Sequence, residues 1–130
     1  MKSLFKISSI LISILFVGLF IQFFFISNYL IELLGLQPTI ASVFVARRIS
    51  VVMLSIGVLM FGSRNLPHSR ARQMICLFIS FTLFGLLCMG SYEFINGTVN
   101  SSILVSVFVE TAFCVLFGSI YIMNKKTLTA

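Results

Sequence analysis

Residues 7–31 read ISSILISILFVGLFIQFFFISNYLI, and this stretch decides the fold. It carries no charged side chain, and its Phe, Ile, Leu and Val show no alternation of period two. About 20 such residues cross a hydrocarbon core as a helix. With no water there to satisfy the backbone, only helices and closed barrels span lipid, and the missing alternation favours the helix. Lys2 and Lys6 precede the run as they would in a signal peptide. However, the run is longer than such a segment needs and no small-x-small cleavage site follows, so it reads as a retained anchor helix.

The rest of the chain agrees. Of its 130 residues 59% are hydrophobic and only 9% charged, against roughly 45–50% and 25% for a soluble domain. The mean hydropathy is +1.15. So few charges could not cover so much apolar surface in water. Three further apolar runs follow at about 43–62, 74–92 and 103–123, within one transmembrane domain spanning 1–130. The net charge of +6 does not point to nucleic acid, because the cations sit at the ends of apolar runs rather than along one polar face. Cys76, Cys88 and Cys114 lie within apolar runs with no metal-ligand or disulfide spacing, and read as small packing residues.

Charge placement predicts the threading. With the amino terminus in the cytoplasm, Lys2, Lys6, Arg64, Arg70, Arg72, Lys125 and Lys126 all fall on that side, while Glu32 and Glu93 edge the outer loops. This is the positive-inside pattern for a multi-pass protein of the bacterial inner membrane with both termini cytoplasmic. Short loops favour an all-α, up-down-up-down four-helix bundle. Arg64, Arg70 and Arg72 form a basic cytoplasmic loop that serves as a topology signal or as a patch for anionic headgroups. Asn96-Gly97-Thr98 and Asn100-Ser101-Ser102 have the form of glycosylation sequons, yet in a short outer loop Asn and Gly are more simply turn residues.

Inside the spans the abnormal residues are Arg47, Arg48 and Glu110. A rise of 1.5 Å per residue puts the arginines about 6–8 Å, and Glu110 about 10 Å, below the outer boundary. The inner half is expected to hold no charge of its own. A charge at a helix centre costs about 2.5–3.5 kcal/mol on insertion scales. Arg48 can snorkel to headgroups or to Glu32. Glu110 is short and needs a partner, and Arg47 stands at a matching depth beside the small-residue stripe Ser42, Ala46, Ser50. Ser102, Ser106, Glu110, Cys114 and Gly118 recur every four residues as an inward stripe. The expectation is an Arg47–Glu110 pair in a polar pocket lined by Gln22, Tyr29, Ser50, Tyr92 and Ser106, acting either as a clamp between helices or as a ligand, ion or proton site.

From the second run to the fourth the chain resembles small, uncharacterised bacterial four-helix membrane proteins related to the DoxX-like group. Arg47 with Ser50 and Gly57, the turn GSYEFING at 90–97, and the single Glu of VFVETAF carry the likeness. Relatives place an Arg just after the Gly that ends the third run, where this chain has Ser91 and Tyr92 after Gly90. The resemblance implies the bundle and an Arg/Glu pairing, and by analogy a quinone-linked redox partner. The residues themselves offer no catalytic set, no metal-ligand group, no haem-ligating membrane His and no phosphate-binding loop, so no cofactor is expected. Two functions stand: a non-enzymatic accessory component that associates with lipid, with copies of itself or with another membrane protein, and a small-solute, ion or proton transporter or channel subunit using Glu110.

Overall fold

A computed structural model describes residues 2–128, with side chains placed from Ser3 to Asn124. It contains five helices: α1 (Lys2–Phe25), α2 (Ser27–Leu33), α3 (Ile40–Ser63), α4 (Arg70–Ile95) and α5 (Ile103–Leu128). Four of them are long and apolar enough to cross a membrane, with mean hydropathy from 1.9 to 2.4 over the spans. The protein is an all-α, four-helix membrane protein. The end bearing both helical termini, Lys2 and Leu128, is called the terminal end below, and the opposite one the far end.

The first apolar run departs from the expectation. It is two helices, because Ile26 leaves helical geometry (φ −121°, ψ 32°) and the chain restarts at the buried Ser27. Neither Gly nor Pro marks this break in the sequence. The remaining boundaries follow local chemistry. Pro38 lacks an amide donor, and Thr39 then caps α3 in a reciprocal box: its Oγ1 accepts from the Ser42 amide at 3.1 Å while its own amide donates to Ser42 Oγ at 2.9 Å. Arg64 closes α3 by donating to the Phe61 carbonyl at 2.6 Å, its guanidinium 3.8 Å from the Phe61 ring centroid. Ser69 accepts from the Arg72 amide at 3.4 Å and starts α4. The helix therefore begins at Arg70 rather than near residue 74, and Arg70 and Arg72 belong to it, not to the loop.

Packing sorts the helices into two hairpins. α1 lies along α3, and α4 lies along α5. Between the hairpins, α1 meets α5, and Arg72 of α4 reaches over Phe5 of α1. The α1–α3 contact is tight at Gly57, where an added Cβ would stand 3.1 Å from Val17 and 3.3 Å from the Ser13 carbonyl. There the Ser13 hydroxyl donates to the Gly57 carbonyl at 2.7 Å. Close backbone approach at small residues, sealed by a hydroxyl, is the usual means of helix association in lipid.

The shared core is confined to the terminal half. Phe5, Ile12 and Phe16 of α1 meet Met60 of α3, Cys76, Ile79 and Leu83 of α4, and Phe117 and Ile120 of α5. Among the described residues, nothing on α4 beyond Leu83 or on α5 before Phe117 is fully buried. At the far end a second junction replaces the core. The Asn100 amide donates to the Leu34 carbonyl at 2.9 Å, and Asn100 Nδ2 donates to the Leu33 carbonyl at 2.7 Å. Gly35, at φ +81°, lets the chain turn against the Asn100 side chain. Asn100 Oδ1 also accepts from the Ser102 amide at 2.9 Å, so this residue is both a turn former and a clasp between hairpins.

Two stability predictions follow. Asn100→Asp keeps the acceptor for Ser102 and removes the donor to Leu33, so it should cost about 0.5–1.5 kcal/mol in reversible unfolding in micelles. Gly57→Val overfills the α1–α3 contact and should cost about 1–3 kcal/mol in the same assay. Cross-linking between cysteines placed on α1 and α3 would report the separation directly.

Candidate functional site

The face of α3 toward α1 is set by Ser50, Gly57, Met60 and Ser63, all buried. Arg47 precedes Ser50 by three residues and so points roughly 60° away from that face. It is exposed, and Ser50 spends its hydroxyl on the Arg47 carbonyl at 2.6 Å. Arg47 instead lines an open groove of about 530 Å³ between α2 and α3, together with Asn28, Glu32, Thr39, Val43 and Phe44. Arg48 is also exposed and lies 5.6 Å from the Phe44 ring centroid.

Glu110 sits in the other hairpin. The register of α4 and α5 is fixed by Gly90 against Ile103 and Val107, and by Ser80 against Cys114 and Gly118. Ser80 Oγ donates to the Cys114 carbonyl at 3.2 Å, and Cys114 Sγ donates to the Ser80 carbonyl at 3.4 Å. Glu110 falls between these contacts and is half-buried. Since α3 packs on α1 and α5 packs on α4, Arg47 and Glu110 are not brought together, and no ion pair joins them among the described residues. Matching depth was therefore insufficient to make them neighbours.

The other predicted lining residues scatter as well. Gln22, Tyr29, Tyr92 and Ser106 are exposed, and Ser50 is buried against α1. The four-residue stripe on α5 explains part of this. At 3.6 residues per turn, a strict spacing of four winds roughly 160° around the helix over sixteen residues. Cys114 and Gly118 consequently face α4, while Ser106 has rotated outward. Glu32 is exposed in the same groove as Arg47, and Glu93 is half-buried near the end of α4.

The terminal half does hold a charge, contrary to expectation. Arg72 is 1% exposed, its guanidinium 4.3 Å from the Phe5 ring centroid. Ser9 of α1 and Asn124 of α5 are buried at this end too. Ser9 Oγ and Gln73 Nε2 are enclosed without a hydrogen-bond partner among the described residues. The sequence signal that could have found Arg72 is Ser69: a helix N-cap there puts Arg72 one turn inside the helix. Arg64 remains half-exposed and, with Lys6, lines a smaller groove of about 230 Å³. Arg70 is exposed at the start of α4.

Among the described residues no group of three His, Cys, Asp or Glu could hold a metal ion. Cys76 is buried, Cys114 bonds within the α4–α5 contact, and Cys88 is exposed. Comparison with protein families, characterised proteins and solved structures found no match.

The Arg72–Phe5 contact joins the hairpins and is testable by a double-mutant cycle. Phe5→Leu and Arg72→Met, measured singly and together by unfolding in micelles, should show a coupling of about 0.5–2 kcal/mol.

Proposed function

We propose that this chain is a non-enzymatic assembly component of a bacterial inner membrane, threaded with both termini in the cytoplasm, and that the Glu110 face of α5 is its contact with a second membrane helix. One observation carries this reading. Hydroxyls on the spans are largely satisfied within their own helices: Ser8, Ser55, Ser91, Thr111 and Ser119 each donate to the carbonyl four residues back. Ser106 and Glu110, one turn apart on α5, have no such partner among the described residues. Polar side chains at that depth are costly against lipid and are the groups that hold membrane helices together when a partner supplies their hydrogen bonds.

The positive-inside pattern supports the threading, and the resemblance to membrane proteins near the DoxX-like group fits a small component without a reaction of its own. A second reading, a proton or ion pathway built from several copies, is favoured by the same unpaired carboxylate: a titratable group within a span is a usual feature of such paths. The two readings predict different behaviour for one variant.

In lipid nanodiscs or proteoliposomes, Glu110→Gln and Ser106→Ala should each weaken self-association or partner retention by about tenfold, the equivalent of one interhelical polar contact. Subunit counting by single-molecule photobleaching would measure this. Unchanged assembly with altered proton flux in Glu110→Gln would instead support the pathway. The threading is checked separately by reporter enzymes fused at Thr98 and at Asn65, of which only the first should show extracytoplasmic activity.

A further inference from the structure

The groove between α2 and α3 has features that neither hairpin packing nor the Glu110 contact uses. It lies just past the break at Ile26, between the short helix α2 and the start of α3, with Pro38 and Thr39 of the intervening turn in its lining. Its walls carry one cation, Arg47, and one anion, Glu32, and these two do not form an ion pair. Asn28 adds a neutral amide on the Glu32 side, one helical turn before it. Val43, Phe44 and Ile40 supply apolar wall between Arg47 and the far end, and Ile40 is 93% exposed. Arg47 lies seven residues inside the start of α3 and Glu32 at the end of α2, so for a helix that crosses the membrane from its first turn Arg47 is about 10 Å deeper than that turn, at the level where headgroups give way to acyl chains.

A guanidinium favours a phosphate, which it can hold by two parallel hydrogen bonds. A carboxylate favours an ammonium that can donate to it. Two opposite charges in one open groove, with Arg47 the deeper one along α3, therefore match a molecule that carries a phosphate next to its apolar tail and an ammonium beyond it. A singly anionic headgroup would leave Glu32 facing like charge. A quaternary amine would offer Glu32 no N–H.

We propose that this groove is a binding site for a zwitterionic phospholipid with a primary-amine headgroup, its phosphate on Arg47, its ammonium on Glu32 and its acyl chains continuing past Arg47 toward the middle of the membrane. Arg48 lies 5.6 Å from the Phe44 ring centroid and is not part of the groove lining. The site needs only the membrane spans and does not depend on the α5 contact proposed above.

The test uses the full chain, purified, delipidated and offered phosphatidylethanolamine, phosphatidylcholine or phosphatidylglycerol with identical acyl chains. Native mass spectrometry counts the lipid retained. The wild-type protein should retain phosphatidylethanolamine about tenfold better than the other two, the worth of one charge-assisted hydrogen bond. Glu32→Gln should equalise phosphatidylethanolamine and phosphatidylcholine. Arg47→Gln should lose the preferred lipid, Arg47→Lys should recover part of it, and Arg48→Gln should retain the preference. Equal retention of all three lipids by the wild type, or unchanged retention in Arg47→Gln, would overturn the site. Preference for phosphatidylglycerol would overturn the zwitterion in favour of a purely cationic groove. Helicity by circular dichroism guards the variants against misfolding, and alkaline extraction of membranes tests the spans themselves, independently of which lipid is held.

Discussion

The approach of α1 to α3 at Gly57, closed by the Ser13 hydroxyl on the Gly57 carbonyl, is the contact from which the rest of the arrangement follows. It fixes which face of α3 is inward, and therefore turns Arg47 away from the bundle and toward α2. It also commits α1 to the middle of the molecule, packed on α3 from one hairpin and meeting α5 of the other. A membrane gives no hydrophobic reward for helix contact, so such close, small-residue approaches carry weight that a soluble core would spread over many large side chains. The terminal half adds Phe5, Ile12 and Phe16 to that contact, and the far half relies on Asn100.

Much of this was legible in the sequence. Four apolar runs without alternation are enough to specify four helices, because lipid admits so few other solutions. Of the small residues of the second run, Ser50 and Gly57 are buried, while Ser42 and Ala46 of the expected stripe are only half-buried. The Arg47–Glu110 pairing was not legible, since depth along a helix says nothing about which helices are neighbours. Helix order around the bundle is decided by side-chain fit, here at Gly57 and at Ser80 against Cys114. The break at Ile26 has no glycine or proline to announce it. Arg72 reads from the sequence as a loop charge, as charges near a span ordinarily are, whereas it is covered by an aromatic ring.

The two ends of the molecule differ in how they hold charge. Near the termini Arg72 is enclosed and stacked, so it behaves as part of the packing between hairpins. At the far end Arg47, Arg48 and Glu32 are exposed and free to meet headgroups or solutes. Glu110 belongs to neither group: it is half-buried within a span, away from the charges at both ends. That division gives three separable regions, with a joint at the termini, an open groove at the far end and a polar face on α5.

The four crossing helices are 24–26 residues long, roughly 36–39 Å of rise. A hydrocarbon layer of about 30 Å is shorter than that by several ångströms. The surplus is absorbed by tilting or by letting helix ends stand in the headgroup layer. Where the helix ends stand in the headgroup layer, the first turns of α3 approach water and Arg47 comes within snorkelling reach of the boundary. A membrane of different thickness would change how deeply that arginine is submerged, so bilayer thickness itself becomes a variable to which this end of the protein responds.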